Sequence, residues 1–359
     1  MSVVSFLSRL VQARSFSGEE GDAAEVVRAE LRAHGVSSES IDHNVVARHG
    51  SGGPVIWLNS HIDTVRPASG YTRDPWDGAH EEGCIWGLGS NDAKGSVAAL
   101  THAFLAFRAR YPDFAGGTVM LLATAEEEVG GEGLKRMRRE LPAPDAAIVG
   151  EPNEMQPAHA CKGTFRAQVT VKGKSAHASR PWQGENALRK AAPVLAALAE
   201  PLIGHDDPDL GPPTHEPTLI TTDTASSNVL PGSVRITVDC RTVPGFSTEA
   251  MKSHLQARLA PFADVDLTFE PAVEAVRTDP GGSLVQAACH VAGTPQPTVF
   301  RGVCDFVYLA GIDAVVMGPG QGVRSHTANE FIRVDEVEAG VAAYLAVLER
   351  FFGLTPPSA

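Results

Sequence analysis

Five side chains able to ligate a divalent cation, His61, Asp92, Glu128, Glu151 and His326, are spread over most of the chain, yet four of them stand just beyond a short apolar run. Imidazole and carboxylate donors together suit borderline-to-hard divalent ions. Brought to one place they would make a dinuclear metal site, and its chemistry would be metal-assisted hydrolysis. His61-Ile62-Asp63 puts two side chains on the same face of an extended segment, because the strand period is two. Asp63 is thereby placed to take the second ring N–H of a ligating His61 and fix its orientation. Asp92 lies in Gly87-Leu-Gly-Ser-Asn-Asp-Ala-Lys-Gly95, a Gly-rich turn before a helical pattern. A carboxylate there can bridge two cations held roughly 3.5 to 4 Å apart, one oxygen to each.

Three consecutive acids, Glu126, Glu127 and Glu128, repel one another unless something neutralises them, and two metal ions would do so. One of them can ligate while its neighbour stays free to take a proton from a water acidified by the metal. The expected pairing is His61 with Glu151 on one ion and Glu128 with His326 on the other, with Asp92 between. Taken singly, an H-x-D or an acidic triplet is an ordinary surface feature. Their joint placement after successive apolar runs is what points to a site.

Those runs are residues 54–60, 118–124, 145–150 and 314–317, and each reads as a parallel strand buried on both faces. Helical patterns separate them. In an open α/β sheet the ligand crevice lies outside the carboxyl ends of the strands, where residues distant in sequence converge. The opening residues Val3, Val4, Phe6, Leu7 and Leu10 have helical spacing, and Ser17-Gly-Glu-Glu20 predicts a capping box for a second helix that stops at Gly35.

The pattern changes at Thr164. Strands over 165–171, 218–222, 233–241 and 265–269 alternate with helices over about 185–199 and from Ser247 to about Leu259. The order β-α-β-β-α-β is the split ferredoxin-like unit. The predicted fold is therefore α/β, a mixed and mainly parallel sheet with helices on both faces, carrying an inserted α+β domain. Residues 1–163 and 276–359 form the metal-binding domain, and residues 164–275 the inserted domain. The linkers around residues 162–164 and 272–283 are candidate hinges.

A chain of 359 residues can build a large core, and 30 Lys plus Arg against 43 Asp plus Glu give a formal charge of −13. That balance argues against nucleic acid or an anionic membrane as principal partner. Five separated cysteines without a C-x-x-C pair make neither a disulfide framework nor a thiolate zinc site. No secretory signal pattern follows the opening helix, and no apolar stretch approaches the roughly 18 to 20 residues that span a bilayer. A cytoplasmic protein is expected.

As an ordered set, Ser60-His-Ile-Asp-Thr-Val65, the Gly87–Gly95 turn, the Glu triplet, Gly150-Glu-Pro152, Gly173-Lys-Ser-Ala-His-Ala178, Ser227-Asn-Val-Leu-Pro-Gly232 and Ser325-His326 resemble one known family. It is that of the dinuclear zinc amidohydrolases and exopeptidases, including acetylornithine deacetylase, succinyl-diaminopimelate desuccinylase and aminoacylase. The resemblance covers essentially the whole chain. It implies that Glu127 is the general base and Glu128 the ligand, and that His177 helps hold the oxyanion, often from the partner subunit. It also implies that Asn228 and Arg241 contact substrate, Arg241 being suited to bidentate carboxylate recognition, and that the inserted domain makes a homodimer. Without the resemblance these three would read as a loop His, a turn Asn and a strand-surface Arg.

Residues 71–76, 150–157, 162–163 and 318–321 lean toward the acetylornithine deacetylase branch, whereas Cys304 and Phe306 beside Asp305 depart from the family pattern. The expected function is hydrolysis of an N-acyl amide on a small amino acid, N-acetylornithine or N-succinylornithine, in arginine biosynthesis. Two divalent ions would serve, zinc first, with cobalt or manganese also suited. Succinyl-diaminopimelate desuccinylase and a dipeptidase or carboxypeptidase are the alternatives on the same scaffold. A metal-free binding protein and a structural dimer with an acidic metal-storage surface are the alternatives outside enzymology.

Overall fold

The structure is a computed structural model and describes residues 2–355. The four apolar runs fold as the strands Val55–His61, Gly117–Thr124, Ala146–Val149 and Asp313–Val316, with nearly every residue buried. They lie side by side and parallel, with Val55–His61 between Gly117–Thr124 and Ala146–Val149, and Asp313–Val316 outside the last. Antiparallel strands extend the sheet on both sides. Asn44–Ser51 and Ser38–Ile41 follow beyond Gly117–Thr124, and Ala158–Cys161 and Val276–Arg277 beyond Asp313–Val316.

Helices cover the sheet because its strands are apolar on both faces. Val3–Gln12 begins at Ser2, whose hydroxyl accepts the Ser5 N–H at 3.3 Å, and buries Phe6, Leu7 and Leu10 at helical spacing. Gly95–Arg110 is buried on most of its circumference and packs against Val334–Phe351, where Gly340 admits the close approach of Ala99. Phe104, Phe107, Leu58 and Tyr344 are among the fully buried side chains of this core. Each such burial stabilises the fold by about 1.5–3 kcal/mol. Tyr344 keeps its hydroxyl satisfied by donating to the Met317 carbonyl at 2.7 Å.

The second helix begins later than the capping box predicted. It spans Gly21–Ala33, and its cap residue Glu20 makes no side-chain capping bond. Ser17 donates instead to the Asp63 carboxylate at 2.7 Å. A buried carboxylate must find donors or carry a large desolvation cost, and it outcompetes a local cap.

The chain divides into two compact units, one comprising residues up to His159, Thr278–Phe300 and from Cys304 onward, the other Ala160–Arg277 with Arg301–Val303. The smaller unit holds an antiparallel sheet in the order Thr214–Thr222, Ser233–Thr242, Gly163–Lys172, Val265–Phe269. Numbered along the chain that is 2-3-1-4, the ferredoxin-like order. Its helices are Ala187–Leu198 and Thr248–Leu259, the latter capped by Ser247 accepting the Ala250 N–H at 3.2 Å. A short ribbon pairs Ala176–His177 with Val229–Leu230.

Candidate metal centre

Strand register decides where the larger unit can do chemistry. His61 pairs with Thr124, and Asn59 with Val149, so the parallel strands end together. His61 is the last residue of its strand, the Glu triplet follows Thr124 by one residue, and Glu151 follows Val149 by one. Asp92 enters from the turn Ser90–Lys94 that leads into the Gly95–Arg110 helix. The turn needs Gly89, whose φ of +78° is unfavourable for other residues and whose absent Cβ would lie 2.5 Å from Thr64. His326 arrives on the loop beyond Asp313–Val316.

All five predicted ligands meet there. The Nε2 of His61 lies 3.3 Å from Oδ1 of Asp92 and 3.9 Å from Oε1 of Glu151. The Nε2 of His326 lies 3.6 Å from Oδ2 of Asp92 and 2.8 Å from Oε1 of Glu128. The two Asp92 oxygens are thus shared between two donor groups, His61 with Glu151 and His326 with Glu128. Ligand atoms of His61, Asp92 and Glu128 fall within 4.8 Å of one another. A carboxylate divided in this way between two imidazole–carboxylate pairs suits a two-metal centre.

Asp63 ties this arrangement together from behind. Its Oδ1 is 3.4 Å from Nδ1 of His61, whose ring also approaches the Asp63 carbonyl at 3.0 Å. The same carboxylate accepts the backbone N–H of Glu127 at 3.1 Å and of Glu128 at 3.2 Å, and the Ser17 hydroxyl at 2.7 Å. Burial opposes ionisation of Asp63, but His61 and these donors prevail and hold its carboxyl below the usual range. Buried Glu20 likewise accepts the Glu126 N–H at 3.1 Å, where the backbone turns at a φ of +57°.

Negative charge is in excess at the centre. Burial pushes the carboxyl groups of Glu127 and Glu151 well up, and neighbouring Asp305 and Glu128 add to it against the pull of His61. Burial also raises Asp305 to about 6, although Asn59 at 2.9 Å and Thr124 at 3.2 Å donate to its Oδ2. Burial disfavours charge on His61, yet Asp63 and Asp92 overcome it and raise its pKa well above the ordinary value. His326 is raised to about 9, chiefly by its hydrogen bond to Glu128. Protons or cations must relieve such crowding. Divalent ions fit the donors present.

The remaining predicted residues belong to the smaller unit. His177 and Asn228 are exposed and adjacent, since His177 pairs with Val229 and the Ala178 N–H donates to the Asn228 carbonyl at 2.8 Å. The His177 Nδ1 lies 2.8 Å from the Ser179 hydroxyl. Arg241, expected to contact substrate, pairs within its own strand. Its Nε and Nη2 donate to the two oxygens of Asp239, at 2.7 and 3.2 Å. A strand carries both residues on one face, and the opposite charges pair across it.

Several supporting residues carry little sequence signal: Ser17 fits a cap, Asn91 and Lys94 sit inside the Gly-rich turn, and Glu330 lies in a loop. Their only sequence signal is a polar side chain next to a ligand or in an otherwise apolar setting. Buried Lys94 donates to the carbonyls of Leu10 and Ala13, both at 2.9 Å, and so fastens the first helix to the Asp92 turn.

Residues 57–350 match the sequence family described as Peptidase family M20/M25/M40. Succinyl-diaminopimelate desuccinylase of Halorhodospira halophila is 29% identical over 97% of this chain and 98% of that protein. The enzyme of the same name from Acidiphilium cryptum is 30% identical over 96% of each chain. Among solved structures, a metallo-carboxypeptidase of the M20 family from Sulfolobus solfataricus has a TM-score of 0.80 at 18% identity, covering 99% of this chain and 100% of that one. Aminopeptidase PepT of Bacillus cereus has a TM-score of 0.78 at 22% identity, covering 97% and 98%. At these identities the two structures show a shared fold.

Proposed function

Because the chain belongs to peptidase family M20/M25/M40, we propose that it is a two-metal amidohydrolase that removes the acyl group from an N-acyl amino acid, with an N-succinylated diamino acid as first candidate substrate. The observation that carries this reading is Asp92, with one oxygen toward His61 and the other toward His326. His61 and Glu151 would hold one ion, Glu128 and His326 the other. Bound there, the ions would supply Lewis acidity to the amide carbonyl and lower the pKa of the attacking water toward 7.

The chain's own residues supply the rest. Glu127 takes a proton from the water and returns it to the leaving nitrogen, and burial, which raises its pKa, makes it the stronger base. Asp63 fixes the His61 ring and, through two backbone N–H groups, the segment carrying Glu127 and Glu128. His177 would stabilise the oxyanion, with Asn228 beside it contacting substrate.

The succinyl reading displaces the lean toward N-acetylornithine and arginine biosynthesis, because the curated relatives reported above are named desuccinylases. One feature of the smaller unit agrees with an acyl group ending in a carboxylate. Burial lowers the pKa of Lys162, and the nearby Arg241 and Arg301 lower it further, so three cations are gathered there. With Asp239 occupying part of Arg241 and the Lys162 ammonium donating to the Pro212 carbonyl at 2.7 Å, exposed Arg301 is the candidate partner for a substrate acid group. The outer strand Thr214–Thr222 exposes Leu219 and Ile220, which supports a homodimer through this unit.

A hydrolysis screen of the zinc-loaded protein tests the reading with N-succinyl-diaminopimelate, N-succinylornithine, N-acetylornithine and unmodified dipeptides. The succinylated substrates should turn over fastest. Preferential release of amino acids from dipeptides would replace the reading with a peptidase.

A further inference from the structure

Two buried polar residues beside the centre, Asn91 and Glu330, have no part in the chemistry above. Asn91 points at the loop that carries His326. Its Oδ1 accepts the Gln321 N–H at 2.9 Å, and its Nδ2 donates to the Gln321 carbonyl at 3.1 Å and the Ser325 hydroxyl at 3.3 Å. Glu330 points the other way. Its Oε1 accepts the backbone N–H groups of Asn91 and Asp92, each at 2.9 Å. The segment bearing Asp92 and the segment bearing His326 therefore each hold the other's backbone with a side chain. Gly320, at a φ of +90°, leaves the room this needs, because a Cβ there would strike Asn91 Oδ1.

His326 depends on such support more than the other ligands do. Its backbone has a φ of +59°, a conformation that costs a non-glycine residue free energy and persists only when its surroundings impose it. Its side chain is 51% exposed, so little packing fixes it. His61, by contrast, is 1% exposed at the end of a central strand, with Asp63 behind its ring.

We propose that Asn91 and Glu330 are positioning residues forming a reciprocal latch that sets His326 against Asp92, so that the ion held by Glu128 and His326 depends on the latch more strongly than the ion held by His61 and Glu151, which shares only Asp92 with it. The proposal rests on the two-metal assignment made above. Outer contacts of this kind change metal affinity by about 10- to 100-fold.

The test is titration of the metal-free full-length protein with Co(II), following visible absorption and bound metal by equilibrium dialysis. Wild type should take up two ions; uptake of fewer by wild type would defeat the two-metal assignment itself. Asn91→Ala and Glu330→Leu should keep the first equivalent and bind the second about 10- to 100-fold more weakly. Glu330→Gln retains an acceptor oxygen for both N–H groups and should bind both ions as wild type does. Two ions bound by the wild type and equally well by Asn91→Ala and Glu330→Leu would overturn the latch, as would equal weakening of both equivalents in folded variants.

Discussion

Asp63 accepts the backbone N–H of Glu127 at 3.1 Å, so the residue that orients His61 also fixes the acidic segment on the neighbouring strand end. Asp63→Ala would free the His61 ring and leave the N–H groups of Glu127 and Glu128 and the Ser17 hydroxyl without their acceptor. Metal affinity should fall by about 10- to 100-fold. Ser17→Ala removes one donor of the set and should have a smaller effect in the same direction. Dialysis against graded chelator checks both, and undiminished affinity in Asp63→Ala would contradict the role given to it.

Glu127 and Glu128 are neighbours in sequence but separate in role. Glu128 lies 2.8 Å from His326 and within the set of ligand atoms around Asp92. Glu127→Gln should therefore keep the metal content of the wild type and lower kcat at least about 100-fold, as loss of a general base does. Glu128→Gln should lose metal as well as turnover. Elemental analysis beside steady-state kinetics separates the two, and a Glu127→Gln protein with wild-type kcat would remove the general base from the account.

In the metal-free protein His326 and Glu151 favour their protonated forms, which metal uptake must reverse. His326 has its pKa raised to about 9, mainly by the hydrogen bond to Glu128, and a ligating imidazole must be neutral. Glu151 is pushed well up by burial and must ionise. Metal affinity should therefore rise with pH up to about 9, with protons released on binding at pH 7–8. Calorimetry in buffers of different ionisation enthalpy measures the release, and His326→Ala should reduce it. The sign for stability is opposite. A raised imidazole pKa stabilises the metal-free fold fully below 6.5, and this contribution is lost as pH rises through about 9. Metal binding independent of pH between 6.5 and 9 would contradict this.

The candidate ligands were legible in the sequence because parallel strands buried on both faces announce themselves as apolar runs, and the residue after such a run stands at the carboxyl edge of the sheet. His61, Glu128 and Glu151 were found in this way, and His326 by its place beyond the last run. The smaller unit was legible because its strands alternate, as in the buried and part-exposed sequence of Gly163–Lys172. Ser17 satisfies a local capping pattern, a hydroxyl three residues ahead of an acid, whereas its partner lies 46 residues away. Glu330 and Asn91 act on backbone groups of other loops, contacts that leave no periodicity to read. Asp239 shares a strand face with Arg241 through the period of two, and the two side chains pair.

The sharing of Asp92 between two donor pairs is the central claim, and anomalous diffraction from crystals of the zinc-loaded protein tests it most directly. Two metal peaks should flank the Asp92 carboxylate, roughly 3.5 to 4 Å apart, one beside His61 and Glu151 and the other beside Glu128 and His326. A fully loaded crystal with a single peak, or with metal bound away from Asp92, would contradict it.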